Sequence, residues 1–172
     1  MFFVNTFIFN KTNYLRHLKI IVNNIKMSGW DQWISNALIN KTANGHTYNN
    51  VLTDACIVGH DGSVYASTTG IAVKPDEVKK LGELFNQGEN NIPSIIIGGK
   101  KYQVTHYEKG AFVYLKIKEG GATIAKTGKA YVIGVYNTSK KYKYDGKELP
   151  QGVGMCNTVV EDLAAQFKGM NY

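Results

Sequence analysis

Cys56, Cys156 and four histidines (His17, His46, His60 and His106) are the residues of this 172-residue chain best suited to nucleophilic or metal chemistry. Their spacing does not assemble it. The cysteines lie far apart with no CxxC pattern and the histidines are scattered, so neither a zinc site nor a disulfide framework is indicated and no metal is assigned. Cys56 sits inside an apolar run and reads as packing. Cys156 immediately precedes an expected helix, whose N-terminus would stabilise a thiolate, but a hydrolase built on it would need a base, and the pattern implies none. No Ser-His-Asp order, HExxH, GxSxG, Walker loop or dinucleotide fingerprint occurs. The glycine pairs Gly98-Gly99 and Gly120-Gly121 stand between strands rather than before a helix, so they read as turns and not as phosphate cradles. Neither a catalytic residue nor a cofactor is expected.

What remains is binding chemistry, carried by aromatic rings and lysines. The net charge is +7, and of 20 basic residues only Arg16 is arginine. That composition argues against a nucleic-acid reader, because bidentate base contacts favour arginine. Lysines suit anionic lipid heads and acidic protein surfaces. The sparse cysteines fit a reducing compartment, and no apolar run approaches the length of a membrane span. A cytoplasmic, soluble protein is expected.

Length and a globular balance of 44% hydrophobic residues imply one domain. Residues 1–26 differ from the rest: they hold four basic residues and no acid, Gly, Ala or Pro. Their residue types have AT-rich codons, which suggests sequence upstream of a start at Met27. A leader or an appended helix or strand is the alternative. From Met27 a short amphipathic helix is predicted, with Ser28 as cap and Trp30, Trp33, Ile34, Ala37 and Leu38 on one arc. After a polar stretch from Asn40 to Asn50, Asp54–His60 and Ser63–Thr68 form a hairpin turning at Asp61-Gly62. Pro75 opens a second helix with the stripe Val78, Leu81, Leu84 and Phe85, ending near Gly88. Strands follow at Ser94–Ile97, Lys101–Tyr107, Phe112–Lys118, Ala122–Lys126 and Ala130–Tyr136. In the third of these, Val113, Leu115 and Ile117 face one way while Tyr114, Lys116 and Lys118 face the other. A last helix is expected after Asn157 as cap, with Val160, Leu163, Ala164 and Phe167 inward. The pattern is α+β: an antiparallel sheet with helices on its faces.

Two stretches carry more than composition. GWDQWISNAL opens the first helix, and GGATIAKTGKAYVIGVY is followed, after a break, by CNTVVEDLAAQF. Together they make the chain from Met27 to Tyr172 resemble a profilin, particularly the plant and amoeboid kinds. The resemblance implies a central antiparallel sheet with the N- and C-terminal helices side by side on one face and further helices on the other. It implies a non-enzymatic, cytoskeleton-associated protein that binds monomeric actin and proline-rich proteins such as formins. Aromatic rings would stack on a preformed polyproline II helix, which loses little entropy on docking. The matching positions are Trp30, Trp33, Asn36, Tyr65 and Tyr172, with Gln166 where the family more often has His or an aromatic ring. The implied actin face comprises Lys101, Gln103, Val104, His106, Lys116, Lys118, Asn157, Thr158 and Glu161, with Tyr114 or Val104 as anchors. Lys116, Lys118, Lys126 and Lys129 are implied for phosphatidylinositol bisphosphate, in competition with actin.

The segment at about 137–155 is longer than the usual profilin connection. It carries Lys140, Lys141, Tyr142, Lys143 and Tyr144 and a turn at Asp145-Gly146, and is expected to form an extended loop or hairpin that adds to the actin contact or obstructs it. If it abolishes actin binding, a poly-proline or lipid adaptor is left.

Overall fold

The computed structural model describes residues 29–87 and 93–172. The leader 1–26, the Ser28 cap and the Gly88 stop therefore lie outside the described residues. Helix α1 (Gly29–Trp33) passes directly into a π-helical turn, Ile34–Ile39, closed by Asn40 N–H donating to the Ser35 carbonyl at 2.9 Å. This segment sends Ile34 and Leu38 into the core and leaves Trp30 and Trp33 half-buried. Helix α2 (Pro75–Gln87) buries Val78, Leu81, Leu84 and Phe85, the stripe that its periodicity predicts.

Seven strands build the main antiparallel sheet in the order β4-β3-β9-β8-β7-β6-β5. They are β3 (Asp54–Gly59), β4 (Val64–Ser67), β5 (Ser94–Ile97), β6 (Lys100–Glu108), β7 (Phe112–Ile117), β8 (Gly120–Lys126) and β9 (Ala130–Asn137). Every strand expected from alternation is present, within a residue or two at the ends. Cys56, Val58, Ile124 and Ile133 pack with α2 on one face. Ala55, Ile57, Ala125 and Val132 pack on the other against the π turn and the C-terminal helix α3 (Val153–Gly169). Burying each large aliphatic side chain stabilises the fold by about 1.5–3 kcal/mol. Close seating of α3 depends on Gly134, where a Cβ would come within 2.5 Å of Val160 Cγ2 and 2.8 Å of Leu52 Cδ1.

A second antiparallel sheet, β1-β2-β10-β11, joins two hairpins from distant parts of the chain. One is β1 (Lys41–Ala43) with β2 (His46–Asn49), inside the stretch read from sequence only as polar; the other is β10 (Lys141–Tyr144) with β11 (Lys147–Pro150). Each turns on an Asx-Gly pair with both residues at positive φ: Asn44 at 53° and Gly45 at 78°, Asp145 at 46° and Gly146 at 80°. These are the left-handed conformations that a two-residue hairpin turn requires. The insertion is thus a hairpin, and Lys143 and Tyr144 pair with Asn49 and Tyr48.

Gln151, 4% exposed, ties the second sheet to the first. Its Oε1 accepts from Thr53 Oγ1 (2.7 Å) and from Asn137 N–H (3.1 Å), while its Nε2 donates to the Asn50 carbonyl (2.7 Å). Replacing it with Ala leaves three part-buried polar groups without these partners, each a loss of about 1 kcal/mol. Gln151→Ala is therefore expected to lower the urea midpoint by the equivalent of about 2–4 kcal/mol with little change in far-UV circular dichroism.

Candidate functional site

The first candidate surface grows from Phe167. Its ring is buried on α3, and the rings of Trp30 and Trp33 stand edge-on to it at centroid distances of 5.6 and 5.3 Å. Trp30 stacks on Tyr65 of β4 at 5.0 Å and meets Tyr172 at 4.9 Å. Hydrogen bonding with Tyr172 and partial burial push the Tyr65 hydroxyl up to about 12, so it stays neutral. Tyr172 is held by its carbonyl, which accepts from Gly128 N–H at 2.9 Å, and Lys129 Nζ lies 5.0 Å from its ring centroid. The structure thus brings Trp30, Trp33, Tyr65 and Tyr172 together as one half-exposed aromatic groove. Asn36 and Gln166 stand beside it, lining with Trp33 a recess of about 210 Å³ between the π turn, β1 and α3.

The second surface lies on the same side of the sheet, past α3. Gln103 of β6 pairs with Lys116 of β7, and these two with Lys101, Ile117 and Lys118 line an open hollow of about 520 Å³. His106 joins this face through a β-bulge. Strict alternation with Tyr102 and Val104 would turn His106 toward the α2 core, but the register shifts between Val104 and His106 and its ring meets Tyr114 at 5.1 Å. The Tyr114 hydroxyl donates to Glu161 Oε1 of α3 at 2.6 Å. Burial, then that hydrogen bond, raise its pKa, so it is neutral and committed as donor.

Three expectations need correction. Val104 packs against the core on the α2 side, because it shares the parity of buried Tyr102, and so is no anchor for this face. Asn157 does not cap the last helix, which begins at Val153 after an extended Gly152 with no side-chain cap. Asn157 lies inside the helix and accepts from buried Thr123 Oγ1 at 2.5 Å, a tie between helix and sheet. The neighbouring Thr158 hydroxyl donates back to the Gly154 carbonyl at 3.0 Å. Finally, Lys116, Lys118, Lys126 and Lys129 do not form one patch. Lys116 and Lys118 flank the β7–β8 turn, whereas Lys126, at the far end of β8, lies 6.0 Å from the Phe85 ring on the opposite face.

The insertion hairpin pairs with β2, and its root lies beside the β7–β8 turn, where Thr138 N–H donates to the Glu119 carbonyl at 3.1 Å. Adjacent residues of α3 address different neighbours: Glu161 meets Tyr114 of β7, while Asp162 is ion-paired to Lys41 of β1. At the hairpin tip, Asp145 Oδ2 lies 2.5 Å from His46 Nδ1, a contact that depresses the Asp145 pKa.

The glycine pair Gly98-Gly99 does cradle an anion, but the chain supplies it. The carboxylate of buried Glu77 accepts from the N–H groups of Gly98 and Gly99, both at 2.9 Å, and from Lys74 N–H at 3.0 Å. The last of these is the reach-back bond of a capping box, which fixes the start of α2. Both cysteines are buried packing, as Cys56 reads from sequence. No group of His, Cys, Asp or Glu among the described residues is arranged to hold a metal, and no described helix is long and apolar enough to cross a membrane.

The profilin family model matches residues 28–172, which span both surfaces. The chain belongs to the profilin family. Acanthamoeba castellanii profilin II is 26% identical, with a TM-score of 0.63 over 84% of this chain and all of that one. Mouse profilin IIa, solved with a double repeat from the FH1 domain of mDia1, is 19% identical with a TM-score of 0.53 over the same shares of the two chains. LokiProfilin2, solved with rabbit actin, is 20% identical with a TM-score of 0.53 over 69% of this chain and 86% of that one. The profilin fold expected from the sequence is the observed one, with terminal helices adjacent on one face and, among the described residues, α2 on the other.

Sequence reasoning missed two contributors to the groove. Phe167 reads only as an inward residue of an amphipathic helix, and the ion pair of Lys41 with Asp162 joins segments 121 residues apart. Burial pushes both thiols up to about 12 and leaves neither as a nucleophile at neutral pH. At pH 8 a disulfide-exchange reagent is accordingly expected to label neither cysteine in the native protein and both in 6 M guanidinium, measured by the released chromophore.

Proposed function

We propose that this chain binds monomeric actin on the β6–β7–α3 face and proline-rich segments, such as those of formins, in the aromatic groove, supplying actin monomer for filament growth in the cytoplasm. It acts as a binding module without catalytic chemistry. The observation that carries this reading is the cluster of four half-exposed rings, Trp30, Trp33, Tyr65 and Tyr172, set around buried Phe167. Flat rings held rigidly in this way stack on pyrrolidines with little loss of side-chain entropy, and neighbouring amides serve the ligand's carbonyls. Gln166 takes the last part with its amide.

Family membership and the exposed Lys101, Gln103, His106, Lys116 and Lys118 support the actin assignment. The lysines give charge complementarity to an acidic partner, and the ring system of Phe112, Tyr114 and His106 gives it a packed centre. Phosphoinositide heads would take the hollow of Lys101, Lys116 and Lys118, so lipid and actin compete for it.

Poly-L-proline titration should change the tryptophan fluorescence of the native protein. Trp33→Ala should weaken that binding tenfold or more while leaving actin affinity within twofold; an unchanged proline affinity would remove the groove from the mechanism. The charge reversal Lys116→Glu with Lys118→Glu should do the opposite. Measured by the anisotropy of labelled monomeric actin, it should cost at least tenfold in actin affinity and leave poly-proline binding unaltered.

A further inference from the structure

Two of the large apolar side chains that the described surface exposes stand four positions apart: Leu149 on β11, 37% exposed, and Val153, the first residue of α3, 49% exposed. Between them Pro150 is exposed as well, while Gln151 is buried and anchors the junction through its three side-chain hydrogen bonds. The Gln151 N–H also donates to the Lys140 carbonyl at 2.9 Å, tying the end of the insertion to its beginning. The apolar residues are therefore held out by a pinned backbone and not by a loose loop. Single exposed apolar residues are ordinary, but a fixed group of them marks a contact surface.

The surroundings of the junction indicate its partner. The link from β9 runs beside the β7–β8 turn, where Thr138 N–H meets the Glu119 carbonyl, so exposed Lys140 and Lys118 border the same edge of the sheet and outnumber the turn carboxylate of Glu119. Among the described residues neither lysine has an ion-pair partner, whereas Lys141 is paired to Glu148 at 3.3 Å. On the helix, Gly154, Thr158 and Glu161 follow one another at helical spacing and form a stripe that runs from the junction to Tyr114. The junction is thus continuous with the β6–β7–α3 face along both turn and helix, and it carries the same sign of charge.

We infer that the β11–α3 junction is an added anchor of that face: Leu149, Pro150 and Val153 bury against an apolar part of the actin monomer, and Lys118 and Lys140 meet acidic groups around it. The inference rests on the actin reading given above. It gives the insertion a share of the affinity that the strand lysines do not supply. Charges on β6 and β7 steer and orient the partner, whereas apolar groups removed from water hold the complex and slow its dissociation. Because Gln151 fixes the junction before the partner arrives, covering it loses little conformational entropy.

The test titrates labelled monomeric actin with the full chain, with the double variant Leu149→Asp and Val153→Asp, and with Lys140→Glu, read by anisotropy. The double variant should lose at least tenfold in affinity, mainly through faster dissociation, and Lys140→Glu about threefold. Both should bind poly-L-proline within twofold of the native chain, which shows that they are folded. In the native complex, amides of residues 147–154 should gain hydrogen-exchange protection. An actin affinity of the folded double variant that stays within twofold, or rises, overturns the anchor, and the lysine face stands if Lys116→Glu with Lys118→Glu still weakens binding. If the double variant loses poly-proline binding, the exchange measurement on the native complex decides, and unchanged protection over 147–154 overturns the anchor. A dimer of the native chain that the double variant disperses at unchanged actin affinity assigns the junction to a second copy and overturns it too. Failure of the native chain to bind actin overturns the actin reading, and the anchor with it.

Discussion

The buried edge of Phe167 is the contact on which both the fold of the terminal helices and the groove depend. Two tryptophans from the start of the domain stand on that ring, and it belongs equally to the core beneath. A surface aromatic cluster without such a support would collapse onto itself or rotate freely, since rings gain most when offset or edge-on geometry is held by neighbours. Here the geometry is set by how deeply α3 sits on the sheet. That depth in turn requires the missing side chain at Gly134. Fold and binding surface therefore share one packing constraint, running from Gly134 through α3 to Phe167 and the two indoles.

Helix α3 also partitions the surface. Consecutive residues on it address different neighbourhoods: Glu161 fixes Tyr114 on the lysine side, and Asp162 fixes Lys41 on the groove side. Successive helical residues lie about 100° apart, so one helix serves both without compromise. The proposed actin face and the proposed proline groove thus meet along a single helix.

The main sheet was legible because its strands carry period-two alternation or continuous apolar runs, and α2 because its stripe has helical period. The second sheet was not. β1 and β2 are three and four residues long, polar and wet, so no hydrophobic pattern announces them. The local clue was Asn44-Gly45, the dipeptide that two-residue hairpin turns prefer; Asp145-Gly146 was the same clue, recognised as a turn. Their pairing with each other is long-range and leaves no local trace. At the site, ring positions were legible through the family motif, but orientation was not. The bulge at Thr105 turns His106 outward while Val104 stays inward, and a bulge has no dependable signature in one sequence. Helix α3 starts earlier than its composition suggests because Gly152, having no side chain, gives no capping signal, whereas Asn157 is a residue type that favours caps.

The clasp between the two hairpins has a kinetic side. His46 and Asp145, which meet at its tip, are 99 residues apart in the chain, and all seven strands of the main sheet lie between them. Each hairpin is local and fast to form by itself. Their union, however, must wait until β3 and β9 have been brought side by side, because only then is the entropy of closing so long a loop already spent. The wall beside the groove is thus assembled after the sheet that supports it.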